Sequence, residues 1–372
     1  MPEAPLTCDE VLGRGWNDFS DSEMRSLLRA ERKKMTENFN NLPDDNRPPK
    51  KAFDGWYELA PFQLRWEFDE YLEEVPETIE GCPLPIPGAR AIIAPHAGYA
   101  YSGRCSAWAF RCLDLSKAKR VFVLGPTHYF YFTGLALSTY SKYSTPLGAF
   151  TVDQQTLRDI GAAAESHGKP EVRNIPRRRE IDEHSLEMEI AFLYQRCEAV
   201  FPTPAEFPSI VPMLVSGDAA DEKAIGRLLL PYLRDPENAF VVSSDFCHWG
   251  RQFSDYRPYF KGGDRSKLVN LRDSDAPPQP PIHESIRMLD YEAIEAMETG
   301  SHDAFVDNLE ETDNSVCGRH PIGAMMAALE LLGADSKDED KPRFRHVRYD
   351  RSALLTDPTK SSVSYVSAYA TF

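Results

Sequence analysis

The stretch Ala91-Ile92-Ile93-Ala94-Pro95-His96-Ala97-Gly98-Tyr99 carries the feature that decides the fold. It contains four consecutive apolar residues, and a turn with a histidine follows them. A short apolar run bounded by turn residues is typical of a strand buried on both faces. Pro95 and Gly98 favour a tight turn at its end. The pattern therefore predicts a buried strand that ends next to His96.

The same arrangement recurs twice further along the chain. Residues 121–124 run into Gly125-Pro126-Thr127-His128, and residues 239–242 run into Ser243-Ser244-Asp245-Phe246-Cys247-His248. Ligands bind outside the carboxyl ends of the strands in open α/β sheets, because the loops converge there. The three histidines are therefore predicted to share one pocket. Imidazole serves in such a pocket as a metal ligand or as a base near neutral pH.

Helical patterns separate or follow the apolar runs, of which residues 210–215 are a fourth. This alternation predicts an α/β fold with a largely parallel or mixed central sheet flanked by helices. The predicted helices span residues 105–115, 155–167, 185–199, 222–233, 283–299 and 322–332. Residues 362–372 alternate in the manner of a strand, and we predict that this strand lies at an edge of the sheet.

The composition limits the classes of partner. The 58 acidic and 42 basic residues give a net charge of −16, which disfavours broad contact with a nucleic-acid backbone. No apolar stretch approaches the roughly 20 residues of a membrane helix. Residues 1–21 lack the basic start and apolar core of a signal peptide. We therefore expect a cytoplasmic protein, with the nucleus as a second location, that binds neither nucleic acid nor membrane.

Two segments differ from the rest of the chain. Residues 20–39 predict an amphipathic helix, and proline-rich linker sequence follows it, so residues 1–47 are predicted to form an N-terminal extension. Residues 48–372 are predicted to form a single α/β domain. Within that domain, residues 257–281 are rich in Gly, Asp and Pro and are predicted to form an irregular surface insertion or a mobile loop.

The cysteines and the start of two helices leave alternatives open. The seven cysteines include no CxxC pair, so most are predicted to be reduced and buried. Cys317 precedes a predicted helix, where a lowered thiol pKa would favour metal ligation or redox reactivity. Asp182-Glu183-His184-Ser185 opens another helix. Its acidic residues either stabilise the helix N-terminus or belong to the pocket.

Five motifs, in their order along the chain, resemble those of the Memo family, the mediators of ErbB2-driven cell motility. They are Ala91-Ile92-Ile93-Ala94-Pro95-His96-Ala97-Gly98-Tyr99, Leu124-Gly125-Pro126-Thr127-His128, Asp182-Glu183-His184-Ser185, Ser243-Ser244-Asp245-Phe246-Cys247-His248-Trp249-Gly250 and Cys317-Gly318-Arg319-His320-Pro321-Ile322-Gly323. The resemblance covers about residues 47–372. It implies a fold like that of the class III extradiol dioxygenases, which hold non-haem iron with two histidines and a carboxylate.

The resemblance implies a metal site formed by His96, His128 and Cys317. A cysteine in place of the dioxygenases' carboxylate supplies a soft thiolate, which shifts the metal preference towards copper or iron. The family is accordingly viewed as metal-binding and redox-linked. A metal-dependent oxidoreductase fits this view, and ring-cleaving dioxygenase activity is not the expected property.

The resemblance also implies roles for other side chains of the pocket. His248 takes the position of the dioxygenases' catalytic histidine, as a proton donor or acceptor, and Asp245 lies beside it to orient it. Trp56 matches an aromatic residue at the pocket wall, and Tyr101 is a further candidate for that wall. The alternative function is a binding module without turnover, in which the pocket holds a phosphotyrosine peptide or another aromatic ligand. The partner would then be a signalling protein.

Overall fold

The computed structural model describes residues 20–273, 279–337 and 340–372. The first part of the predicted extension, residues 1–19, and residues 274–278 of the predicted insertion lie outside the described residues. Cys8 therefore also lies outside them. The other six cysteines are free thiols, and four of them are buried, as predicted.

Strands and helices alternate through most of the chain. The strands are β1 (Asn46–Arg47), β2 (Thr78–Ile79), β3 (Cys82–Pro83), β4 (Ala89–Ala94), β5 (Arg120–Gly125), β6 (Gly134–Leu137), β7 (Lys142–Thr145), β8 (Gly148–Thr151), β9 (Val172–Asn174), β10 (Ser209–Ser216), β11 (Asn238–Ser243), β12 (Asp245–Trp249), β13 (Pro258–Phe260), β14 (Leu268–Asn270), β15 (Phe344–Arg351) and β16 (Ser362–Thr371). The helices are α1 (Asp21–Asn40), α2 (Lys50–Phe53), α3 (Pro61–Glu73), α4 (Tyr99–Cys112), α5 (Gln154–His167), α6 (Arg177–Asp182), α7 (Ser185–Val200), α8 (Ala219–Arg234), α9 (Ile282–Glu298), α10 (His302–Thr312) and α11 (Arg319–Leu332).

The centre of the molecule is a mixed sheet in the order β12-β16-β4-β11-β5-β10-β6-β9, with β15 paired to β16. Its four middle strands, β4, β11, β5 and β10, are mutually parallel and are the four apolar runs predicted from the sequence. Their side chains are almost entirely buried, because helices cover the sheet. The α/β fold with a mixed central sheet is therefore confirmed.

The predicted helices are confirmed, with one shifted. α4 begins at Tyr99 and ends at Cys112, so it starts earlier and ends earlier than predicted. It begins immediately after Gly98. A side chain at this position would be crowded, because a Cβ atom placed on Gly98 would lie 3.1 Å from the carbonyl oxygen of Trp56. The turn that carries His96 is therefore short, and helix α4 starts directly beside the pocket.

The prediction that the last strand lies at a sheet edge is wrong. β16 pairs with β4, with β12 and with β15, so β15 takes the outer position. The serines of its alternating pattern are buried rather than exposed, and Ser364 and Ser367 are fully covered. Serine hydroxyls can be buried when they are hydrogen-bonded, and that of Ser367 donates to the carbonyl oxygen of Cys105 at 2.6 Å.

The predicted insertion contributes to a second, smaller apolar cluster. Within it, β13 pairs antiparallel with β14. Tyr259 and Phe260 on β13 are buried against Trp249 and Ile282. This part of the segment therefore packs on the body of the protein, next to the strand β12 that carries His248.

The described part of the predicted extension contacts the domain in two ways. Helix α1 begins with a capping box between Ser20 and Glu23 and buries Leu27. At the predicted boundary, Arg47 on β1 is 1% exposed and forms an ion pair with Glu187 on α7. The division of the chain at residue 47 stays a prediction.

Candidate metal centre

Three histidines converge at the carboxyl edge of the parallel strands. His96 follows β4, His128 follows β5, and His184 immediately precedes α7. One ligand atom from each lies within 4.8 Å of the others. The rings of His128 and His184 stack at 4.1 Å between centroids, and His96 meets both rings edge-on. The structure thus unites two predicted histidines with a third that the sequence left open.

Cys317 lies against this group. Its Sγ is 3.2 Å from Nε2 of His96 and 3.5 Å from the carbonyl oxygen of Asp245. Burial raises the pKa of the Cys317 thiol well above its ordinary value, and the nearby Asp245 carboxylate raises it further. The expectation of a lowered thiol pKa is therefore wrong for the metal-free protein, because desolvation outweighs the adjoining helix N-terminus. Its role as a ligand stays a prediction.

His96 is held from behind by Ser243 at the end of β11. Its Nδ1 lies 2.7 Å from the Ser243 hydroxyl oxygen, and its Nε2 faces Cys317. Burial lowers the pKa of His96 well below its usual value, and the neighbouring histidines lower it further. The ring is therefore neutral at physiological pH, which is the form that can bind a metal ion.

His128 is held by the carboxylate of Glu183. Nδ1 of His128 is 2.8 Å from Oε1 of Glu183, and the backbone N–H of His128 donates to Oε2 at 2.7 Å. Burial works to raise the pKa of Glu183, but its hydrogen bond and charge contact with His128, together with the charge of His184, lower it to about 2. A carboxylate behind a ligand histidine orients the ring and increases the basicity of its other nitrogen.

One polar atom of His184 is buried without a hydrogen bond. Its Nδ1 has no hydrogen-bond partner, and the nearest charged atom that is described, Oε1 of Glu183, lies 3.6 Å away. Burial lowers the pKa of His184 to about 3, and the charge of His128 adds to this effect. A buried ring nitrogen without a partner costs free energy, and a bound ion would remove that cost. The three imidazoles and the thiol therefore form a donor set that fits a transition-metal ion.

His248 and Asp245 line the same cavity, whose volume is about 860 Å³. The His248 ring lies with Nδ1 2.8 Å from the carbonyl oxygen of Phe246, which leaves Nε2 available to the cavity. Asp245 accepts a hydrogen bond from the backbone N–H of His96 at 2.9 Å, and burial raises the pKa of its carboxyl group. The described hydrogen bonds of His248 thus go to backbone carbonyls and to Ser315, and none goes to Asp245.

Aromatic side chains form the outer wall of the cavity. The Trp56 ring packs on that of His184 at 4.7 Å between centroids, and the ammonium group of Lys51 lies 5.4 Å from the Trp56 ring. Tyr101 also lines the cavity, but it is 64% exposed and therefore lies at the mouth. The predicted wall residues thus border the same cavity as His128, His184 and His248.

No helix in the part of the chain that the structure describes is both long enough and apolar enough to cross a membrane.

The fold and the site define a class, that of an α/β protein with a histidine-rich pocket that could hold a metal ion.

The family model described as Memo-like protein matches residues 47–369. Protein memo-1 homolog of Caenorhabditis elegans is 37% identical over 280 residues, 75% of this chain and 71% of that protein. Protein MEMO1 of Homo sapiens is 34% identical over 317 residues, 85% of this chain and 94% of its own length. MEMO1 family protein MHO1 of Saccharomyces cerevisiae is 33% identical over 334 residues, 85% and 96% of the two chains. The chain belongs to the Memo family, which confirms the predicted resemblance.

Proposed function

We propose that this chain is a metal-binding protein whose pocket holds a copper or iron ion and supports redox chemistry. The observation that carries the proposal is the meeting of three histidines within 4.8 Å, with the Cys317 sulfur 3.2 Å from Nε2 of His96. Imidazole nitrogens suit copper and iron alike, and a thiolate favours the softer oxidation states of these metals. His96, His128 and Cys317 are the proposed ligands, and His184 is a fourth candidate.

The protein's own groups would prepare this site in two ways. Ser243 and Glu183 contact Nδ1 of His96 and of His128, which leaves Nε2 of each ring as the candidate ligand atom. His248 presents Nε2 to the cavity and would accept or donate a proton there. A copper or iron ion, when bound, supplies the capacity for one-electron transfer.

Metal analysis of the purified protein tests the proposal. Wild-type protein prepared without chelators is expected to contain about one copper or iron ion per chain. The double variant His96→Ala/Cys317→Ser is expected to contain almost none, because it loses two adjoining donors. His167→Gln removes an exposed histidine on α5 and should retain the wild-type content. Equal sub-stoichiometric metal in all three preparations would contradict the ligand assignment.

A second candidate function is the binding of an aromatic ligand, such as a phosphotyrosine side chain. The cavity of about 860 Å³ has the size typical of small-molecule sites, and Trp56 offers an aromatic face at its wall. Trp56→Ala is expected to weaken the binding of a phosphotyrosine peptide by about tenfold, because aromatic stacking contributes about 0.5–1.5 kcal/mol beyond the burial of apolar area. Trp66→Ala, on α3, is the matched control. Fluorescence titration that gives equal affinities for the two variants would argue against this candidate.

A further inference from the structure

Helix α7 carries a carboxyl group that the proposed function has not used. Glu189 is 1% exposed, and no described cation forms an ion pair with it. Burial raises the pKa of Glu189 well above its ordinary value, and the Asp245 carboxylate raises it further. A buried carboxyl group without a counter-ion is more stable in its neutral form, in which it can donate a hydrogen bond. Its contact is the hydroxyl of Ser243, at 3.0 Å from Oε1.

The Ser243 hydroxyl has three polar neighbours but only one proton to give. Its oxygen lies 2.7 Å from Nδ1 of His96, 2.7 Å from the carbonyl oxygen of Ser185 and 3.0 Å from Oε1 of Glu189. The Ser185 carbonyl can only accept, so the short contact to it requires the serine proton. His96 and Glu189 must then both donate to Ser243. The hydroxyl thereby uses its single donor and both of its acceptor sites.

This proton arrangement determines which nitrogen of His96 can bind a metal ion. When Nδ1 carries the proton and donates it to Ser243, Nε2 has a free lone pair and faces Cys317. A Ser243 hydroxyl that turned towards Nδ1 would instead place the ring proton on Nε2, where it would compete with the metal. The direction of one serine hydroxyl therefore matters to the site.

We propose that Glu189 is a positioning residue, which donates a hydrogen bond to Ser243 instead of taking its proton. The serine proton then stays directed at the Ser185 carbonyl, and His96 stays in the tautomer that binds metal. The proposal rests on the proposed metal function. It goes further by assigning control of the His96 tautomer to a residue of helix α7, which acts on His96 through Ser243. The requirement at position 189 is for a hydrogen-bond donor of this size, and glutamine meets it without an ionisable group.

Cobalt titration of single variants tests the effect on the site. Glu189→Leu is expected to weaken Co²⁺ binding by about tenfold, which is the lower end of the range for residues behind metal ligands. Glu189→Gln is expected to restore binding to within about twofold, since its amide N–H donates to the same oxygen. Ser243→Ala should weaken binding at least as much as Glu189→Leu. Adding Glu189→Leu to Ser243→Ala should cause no further loss, because residues that act through one contact are not additive.

Nitrogen-15 NMR of the metal-free protein gives a second readout that a general loss of stability would not produce. The His96 imidazole is expected to be protonated at Nδ1 in the wild-type and Glu189→Gln proteins. The Glu189→Leu protein should show a fraction protonated at Nε2. Glu189→Met provides a second apolar variant if the leucine variant does not fold.

The outcomes separate the two levels of the proposal. Equal cobalt affinity and an unchanged tautomer in the apolar variants would overturn the role of Glu189 while leaving the metal site intact. A glutamine variant as weak as the leucine variant would also overturn it, because donation would then not be the property that matters. Failure of the wild-type protein to bind Co²⁺ would overturn the proposed metal site itself. The NMR measurement of the His96 tautomer would still test the role of Glu189 independently.

Discussion

Replacing Arg47 with methionine is expected to lower the free energy of unfolding by about 3–5 kcal/mol, the usual loss when one partner of a buried ion pair is removed. Arg47 and Glu187 are almost fully covered, and their side chains meet at 2.8 Å. Burial works to lower the pKa of Arg47, but the Glu187 carboxylate reverses this effect and the net pKa is raised. Methionine would leave the carboxylate buried without its cation. Urea unfolding of the metal-free protein measures the change.

The same guanidinium also organises the segment that leads into the site. It donates to the backbone carbonyl oxygens of Glu180 at 2.9 Å and of Glu183 at 2.7 Å. Glu183 and His184 are therefore held partly by Arg47, so the variant should weaken metal binding as well.

Two further variants make the Arg47 prediction specific. The double variant Arg47→Met/Glu187→Leu should recover part of the lost stability, because both charges are then removed. Arg32→Met breaks the more exposed ion pair with Glu58, at 2.5 Å, and should cost only about 0–1 kcal/mol. A loss at Arg47 no larger than the loss at Arg32 would contradict the prediction.

Replacing Glu183 with alanine is expected to lower both the stability of the protein and its affinity for metal. Its carboxylate accepts hydrogen bonds from the backbone N–H groups of His128, His184 and Ser185, at 2.7, 2.9 and 3.0 Å. Each buried donor left without an acceptor costs about 1–3 kcal/mol, so the free energy of unfolding should fall by about 3 kcal/mol or more. The affinity for Co²⁺ should fall by about 10- to 100-fold, because Nδ1 of His128 loses its partner.

Glu183→Gln is the matched control for this second prediction. It keeps the size of the side chain and one acceptor oxygen. Its NH₂ group, however, replaces the other oxygen and cannot accept a hydrogen bond from the backbone N–H that faces it. Its stability and cobalt affinity should therefore lie between those of the wild-type and alanine proteins. If all three proteins bound Co²⁺ equally, the support of His128 by Glu183 would have no part in metal binding.

The strands and two of the histidines could be predicted because their cause is local. A fully buried parallel strand needs an unbroken apolar run, and the loop after it starts at the carboxyl edge, as at His96 and His128. β16 could not be placed in the same way. Its alternating pattern predicts one exposed face, whereas small side chains and a hydrogen-bonded hydroxyl allow both faces to be buried.

The rest of the site depends on contacts between segments that are far apart in the chain. Asp182 and Glu183 are acidic residues of the kind expected at a helix N-terminus, so the sequence alone does not separate that role from a place in the pocket. Glu189 lies in an apolar helical stretch and meets Ser243 54 positions away. The pKa of Cys317 depends on burial, which its neighbours in sequence do not indicate.

The position of β16 has a consequence for how the chain reaches its native state. This strand pairs with β4 inside the sheet, and Nε of Arg90 donates to the carbonyl oxygen of Phe372, 282 positions away in sequence. Contacts of such long range are slow to form, because a large loop must close first. Until β16 arrives, β4 presents an unpaired and strongly apolar edge beside the turn of His96. A partly folded chain would therefore be prone to aggregate through that edge.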